Sequence, residues 1–111
     1  MNFPFLYAAF NSREMNKVLD LMHPDVEWPN VMEGKMITGK DAIRDYWTRQ
    51  WQSVNPTVIP EDIEVLKDGR LKVKVHQVVR DMEGKLLADG YVYHVYTIKD
   101  GLIEKMEVDQ S

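Results

Sequence analysis

Apolar residues recur at helical spacing in the first half of the chain and at alternating positions in the second, so the sequence reads as helices first and strands after. Behind Pro4, whose fixed φ suits a first helical turn, Leu6, Ala9 and Phe10 share one stripe and predict a short helix to about Asn11. Met15, Val18, Leu19 and Met22 fall at i, i+3, i+4 and i+7 behind an Asn11 to Glu14 pair with capping-box spacing, which predicts a second helix ended by Pro24. Asp25 to Trp28 alternates polar and apolar as a short strand does. Pro29 then opens a loop from Asn30 to Gly39, with room for a second short strand. Thr38 and Asp41 repeat the capping-box spacing ahead of a helix reaching about Ser53, whose Ile43, Tyr46, Trp47, Gln50, Trp51 and Val54 form its covered stripe.

Beyond Pro56 the texture changes. The turn signals Lys67-Asp68-Gly69-Arg70, Asp81-Met82-Glu83-Gly84 and Lys99-Asp100-Gly101 predict four strands, about 58 to 67, 70 to 81, 85 to 99 and 101 to 109, paired as an antiparallel meander. Helices followed by strands give an α+β class with the helices on one face of a curved sheet. In GYVYHVYTIKDG, residues 90 to 101, Val92, His94, Tyr96 and Ile98 share one side, and Tyr91, Tyr93, Val95 and Thr97 the other. Both sides are largely apolar, so the strand needs two covers: the protein's own core or a pocket, and a second subunit. Gln77 shares a face with Leu71, Val73, Val75 and Val79, a polar group on an apolar surface that requires a partner or a ligand. His76 lies with Lys72, Lys74 and Val78 on the outer face.

A chain of 111 residues makes one domain, residues 1–111, with one core and room for one pocket. A net charge of −4 with no basic run argues against nucleic acid and anionic membrane as partners and leaves small molecules and proteins. There is no cysteine, hence no disulfide, thiol nucleophile or Cys-ligated zinc. The opening MNFPFLYAAF lacks the basic region and long apolar run of a signal peptide, and no apolar stretch nears the roughly 20 residues that span a bilayer, so the expectation is a cytoplasmic protein. His23, His76 and His94 form no HxH or HxxxH pair, and neither a metal nor another cofactor is expected. Trp28, Trp47 and Trp51 are large rigid surfaces suited to an apolar pocket. Glu104, Glu107 and Asp109 are candidate carboxylates on the last strand; an apolar face of Leu102, Met106 and Val108 would direct Glu107 and Asp109 outward as a solvated or interfacial acidic face, and in the other strand phase Glu107 is a candidate general base.

The segments AAFNSREMNKVLDLMHPDVEW, ITGKDAIRDYW and HVYTIKDGLIEKMEV, taken with the order of elements, resemble the SnoaL-like branch of the nuclear transport factor 2-like superfamily, which includes ketosteroid isomerase. The likeness covers nearly the whole chain. It implies a cone-shaped α+β barrel in which the N-terminal helices lie on a strongly curved, mostly antiparallel sheet enclosing an apolar pocket. It also implies a homodimer through the outer sheet face. Aligning the KDG turn with that of the isomerase puts His94 at its oxyanion-stabilising aspartic acid, with Tyr96 and Ile98 also facing the cavity. Asn30 falls at its base aspartate and Leu6 at its oxyanion-binding tyrosine; Tyr7 is one residue on, about 100° round the helix. Asn30 cannot take a proton at physiological pH, which counts against steroid isomerase activity.

Two functions follow for a protein that binds a small, largely apolar molecule. One is an isomerase-, cyclase- or dehydratase-type enzyme without cofactor, in which His94 is the catalytic acid or base. There Trp28, Asn30, Trp47, Trp51, Gln77, Tyr96 and Ile98 make the ligand pocket. The other is a non-catalytic ligand-binding or accessory module.

Overall fold

The structure, a computed structural model, describes residues 1–110. Three helices, α1 (Phe3–Asn11), α2 (Met15–Leu19) and α3 (Lys40–Ser53), accompany six strands: β1 (Met22–Asn30), β2 (Lys35–Thr38), β3 (Asn55–Val65), β4 (Leu71–Arg80), β5 (Leu86–Lys99) and β6 (Leu102–Asp109). The strands form one sheet in the order β2-β1-β6-β5-β4-β3. All neighbours are antiparallel except β1 and β6. The architecture is the expected α+β arrangement of N-terminal helices and a mostly antiparallel sheet, but the sheet does not close: β2 and β3 remain its edges, so it is no complete barrel. Register irregularities at Pro60 to Asp62, Val79 to Arg80 and Thr97 to Ile98 are places where strands bend.

Local chemistry explains most of the boundaries. Asn2 caps α1 by accepting from the Phe5 amide at 3.1 Å, ahead of Pro4 in the first turn. The β5–β6 hairpin turns on Asp100 and Gly101, both at positive φ (53° and 77°), the type I′ geometry that an Asp-Gly pair favours.

Three expectations are corrected. The second helix stops at Leu19, and Met22 and Pro24 lie in β1, because β1 runs beside β6: Met22 pairs with Ile103, and the Ile103 amide donates to the Leu21 carbonyl at 2.9 Å. The parallel register shifts between Met22 and Glu27, which accommodates Pro24 and its missing donor. Asn11 does not cap α2; it ends α1, and its carboxamide makes two backbone bonds to Val58 of β3, at 2.8 and 2.9 Å. Thr38 stays in β2 opposite Glu27, so α3 starts from Gly39, at φ 93°, with no side-chain cap. The core joins α1, α3 and the inner sheet face through Phe3, Leu6, Val26, Ile43, Trp47, Val73, Val75 and Ile103.

Candidate functional site

A cavity of about 380 Å³ lies between the helices and the sheet. Strand alternation supplies one wall. His94, Tyr96 and Val92 of β5, Met106 and Val108 of β6, and Gln77 of β4 point inward, while α1 contributes Leu6, Tyr7 and Phe10, and α3 contributes Tyr46, Trp47 and Gln50. Trp28 closes a further side. Its ring meets Trp47 edge-on at 5.5 Å and lies 6.4 Å from Tyr96. No Asp, Glu, Lys or Arg is among the wall residues, so the interior is apolar with a few neutral polar groups.

Three of those groups converge at one end. The Tyr7 hydroxyl stands 2.7 Å from Nδ1 of His94 and 2.8 Å from the Tyr96 hydroxyl, linking α1 to two alternate residues of β5. Burial lowers the His94 pKa to about 4 and raises that of Tyr96. Tyr7 is raised well above the ordinary tyrosine value, by burial first and by Tyr96 second. All three are therefore neutral near pH 7. No group among the described residues hydrogen-bonds Nε2 of His94. That nitrogen is not sealed in packed atoms, since Trp51 Nε1 is the one unpartnered buried side-chain nitrogen or oxygen among the described residues, so Nε2 opens onto the cavity.

The chain of three has two neutral proton arrangements. In one, Nδ1–H donates to Tyr7, Tyr7 donates to Tyr96, the Tyr96 hydroxyl offers its proton to the cavity, and Nε2 carries a lone pair. In the other every proton has moved one place: Tyr96 donates to Tyr7, Tyr7 to Nδ1, and Nε2–H is the donor.

Of the residues anticipated from sequence, His94, Tyr96, Gln77, Trp28 and Trp47 line this cavity, and Asn30, Trp51 and Ile98 do not. Asn30 is buried at the β1–β2 turn, where its side chain accepts from the Glu33 amide at 3.0 Å and donates to the Glu33 carboxylate at 3.3 Å. Trp51 stacks on Trp47 at 5.7 Å, with the Arg13 guanidinium 4.9 Å from its ring on the side of α1. Ile98 pairs with Ile103 and packs against the core.

Tyr7 is the residue the sequence comparison passed over. Its signal was present, because Phe3, Leu6, Tyr7 and Phe10 recur at i, i+3, i+4 and i+7, a stripe wide enough to face both core and cavity. Outside the cavity, His76 bonds Asp89 at 2.6 Å on the outer face, where Arg70 meets Glu107 at 3.5 Å and Lys72 meets Asp109 at 3.6 Å. No cluster of His, Cys, Asp and Glu among the described residues could hold a metal, and no described helix is long and apolar enough to cross a membrane.

Comparison with known proteins agrees with this architecture. The SnoaL-like domain profile matches residues 5–106. The chain belongs to the SnoaL-like family. No curated protein matches the chain by sequence. Among solved structures, this SnoaL-like chain is similar to TerC co-crystallised with polyporic acid, at 26% identity and a TM-score of 0.83, over 98% of this chain and 88% of that one. It also resembles a Sinorhizobium meliloti protein named as a candidate polyketide cyclase, at 20% identity and a TM-score of 0.79, over 95% of this chain and 90% of the other. A Mycobacterium tuberculosis protein in complex with estradiol-17β-hemisuccinate matches at 18% identity and a TM-score of 0.78, over 95% and 87%. At these last two identities the likeness is one of fold.

Proposed function

We propose that this SnoaL-like protein is a cofactor-independent enzyme that enolises a small, largely apolar carbonyl compound, the step shared by isomerases and cyclases that move a proton next to a carbonyl. The Tyr7–His94–Tyr96 chain carries the reading. An apolar cavity penalises any intermediate that separates charge, and a relay of neutral groups avoids one. Nε2 of His94 takes the proton from the carbon beside the carbonyl. Tyr96 protonates the carbonyl oxygen, Tyr7 reprotonates Tyr96, and Nδ1 of His94 reprotonates Tyr7. The ketone leaves as its enol, and the protein remains neutral in its other proton arrangement. A histidine near pKa 4 is a weak base in water; here the simultaneous proton delivery to oxygen compensates, and the low pKa keeps Nε2 unprotonated at neutral pH. Ligand-bound and cyclase-named neighbours of the same fold support a small-molecule site.

The test is deuterium exchange in heavy water, followed by proton NMR, with monocyclic, bicyclic and tricyclic aryl ketones as probes. The expected result is protein-catalysed exchange at the carbon beside the carbonyl, reduced about 100-fold to 10,000-fold by His94→Gln, the usual contribution of a positioned proton-transfer group, and reduced by Tyr96→Phe as well. Ketones that bind yet exchange no faster than in buffer would overturn the reading in favour of a non-catalytic binding module. That alternative rests on the wall's lack of any carboxylate base.

We further propose that the protein is a homodimer through the outer sheet face around Tyr91 and Tyr93.

A further inference from the structure

The polar end at His94 is not the cavity's only polar feature. On α3 the Gln50 side chain donates to the Tyr46 hydroxyl at 3.3 Å, and on β4 stands Gln77, whose place cross-strand register fixes. His94 is opposite Val73, Val92 is opposite Val75, and Gly90 is opposite Gln77, so Gln77 sits two inward-facing rungs from His94. Four residues along β5 correspond to about 13 Å of strand. Between the two polar positions β5 contributes Val92, while Val58 of β3 is opposite Gln77 and Phe10 of α1 also lines the cavity. The Gln77 carboxamide, which carries two donors and an acceptor, hydrogen-bonds nothing among the described residues. Beside it β5 is bare on the same face: Gly90 shares Gln77's side of the sheet, and a Cβ built there meets no atom within 4 Å. Gly90 has no positive φ that would require glycine, so the position keeps space open without serving a turn.

The two ends also differ in depth. Tyr96 and Tyr7 are buried, whereas Gln77 and Gly90 are half-buried.

We propose that Gln77 and the bare strand at Gly90 form a second, outer polar subsite, so that the ligand is a neutral, elongated, flat molecule carrying an oxygen function at each end. The proposal deepens the enolisation reading and rests on the same cavity being the ligand site. One oxygen meets the Tyr96 and His94 end, the apolar body lies along Val92, Phe10 and Val58, and the far oxygen exchanges hydrogen bonds with the Gln77 carboxamide. Allowing for the inward lean of both side chains, the two oxygens stand on the order of 10 Å apart. With no cationic side chain in the wall, the far group is a hydroxyl or carbonyl rather than a carboxylate or phosphate.

Calorimetric titration with para,para′-biphenol and para-phenylphenol tests this. The probes share a rigid biaryl body and differ by one terminal hydroxyl. The protein should bind the biphenol more tightly by on the order of tenfold, the worth of one neutral hydrogen bond. Gln77→Met should erase that preference, and Gly90→Val should weaken both biaryls without affecting plain phenol. Should either variant melt early, Gly90→Ala, for which the structure has room, replaces Gly90→Val, and Gln77→Leu replaces Gln77→Met. Equal affinity for the two probes, or a preference that survives Gln77→Met, would overturn the proposal. Because these are binding measurements, absence of ketone exchange with the biphenol preference intact would reject the enolisation chemistry and leave the subsite standing.

Discussion

His94 combines burial with a single hydrogen bond to Tyr7, and the consequence is a stability that depends on pH. In the unfolded chain its pKa is near 6.5; in the folded protein burial lowers it to about 4. Above about pH 7 both states hold it neutral and its contribution is constant. As pH falls from 6.5 to 4 the unfolded chain takes up a proton that the folded one refuses, so stability drops, by on the order of 3 kcal/mol in all, and levels off below pH 4. Urea unfolding between pH 7 and pH 4 should therefore show a steeper loss in the natural protein than in His94→Gln. Parallel pH profiles for the two would mean that His94 is solvated rather than enclosed. Tyr7 and Tyr96, the groups that face it, stay neutral throughout this window, which lies far below an ordinary tyrosine pKa, and burial raises both further.

At the scale of elements, Asn11 shows how one side chain can serve a different junction from the one its spacing suggests. Its carboxamide satisfies both the amide and the carbonyl of Val58, tying the end of α1 to the edge strand β3. Arg13 reinforces this junction by donating to the carbonyls of Phe10 and Pro56 and to the Asn55 side chain. Asn11→Ala leaves a part-buried backbone donor and acceptor to find water, at a cost of about 1–3 kcal/mol. The loss should appear as a lower urea midpoint, with hydrogen exchange accelerated at Val58 ahead of the β5 and β6 amides. Uniform acceleration along the sheet would show that the clamp does not act locally. The junction matters for the site because Val58 lines the cavity and α1 carries Tyr7.

For the whole molecule, the outer sheet face is the surface on which the proposed dimer rests. Within one chain Tyr91 is 52% exposed, Val95 is buried, and the Lys72 and Lys74 ammonium groups lie 4.8 Å from the Tyr93 and Tyr91 rings, so the apolar strip is narrower than alternation alone suggests. Across this face β4 presents Lys72 and Lys74 on one side of β5, and β6 presents Glu107 and Asp109 on the other. A two-fold axis running along β5 would set each positive row against the partner's negative row, which is the favourable arrangement for an isologous contact. Light scattering at micromolar concentration should therefore give twice the chain mass, and Tyr91→Glu should halve it with little change in circular dichroism. A monomer mass for the natural protein would remove the dimer. Only the family resemblance implied that His94 and Tyr96 face the cavity; the sequence by itself determined the α+β order, the four-strand meander, the Asp-Gly hairpin, the shared side of His94 and Tyr96 and the apolar face that carries Gln77. These rest on local propensity and on a side-chain period of two, which need no knowledge of distant residues. Tertiary structure decided the rest. The parallel β1–β6 pairing turned a helical-looking Met22 into a strand residue, and the approach of α1 to β5 joined Tyr7 to His94 across 87 positions. Contacts of that range depend on how whole elements meet, and periodicity within a single segment carries no record of them.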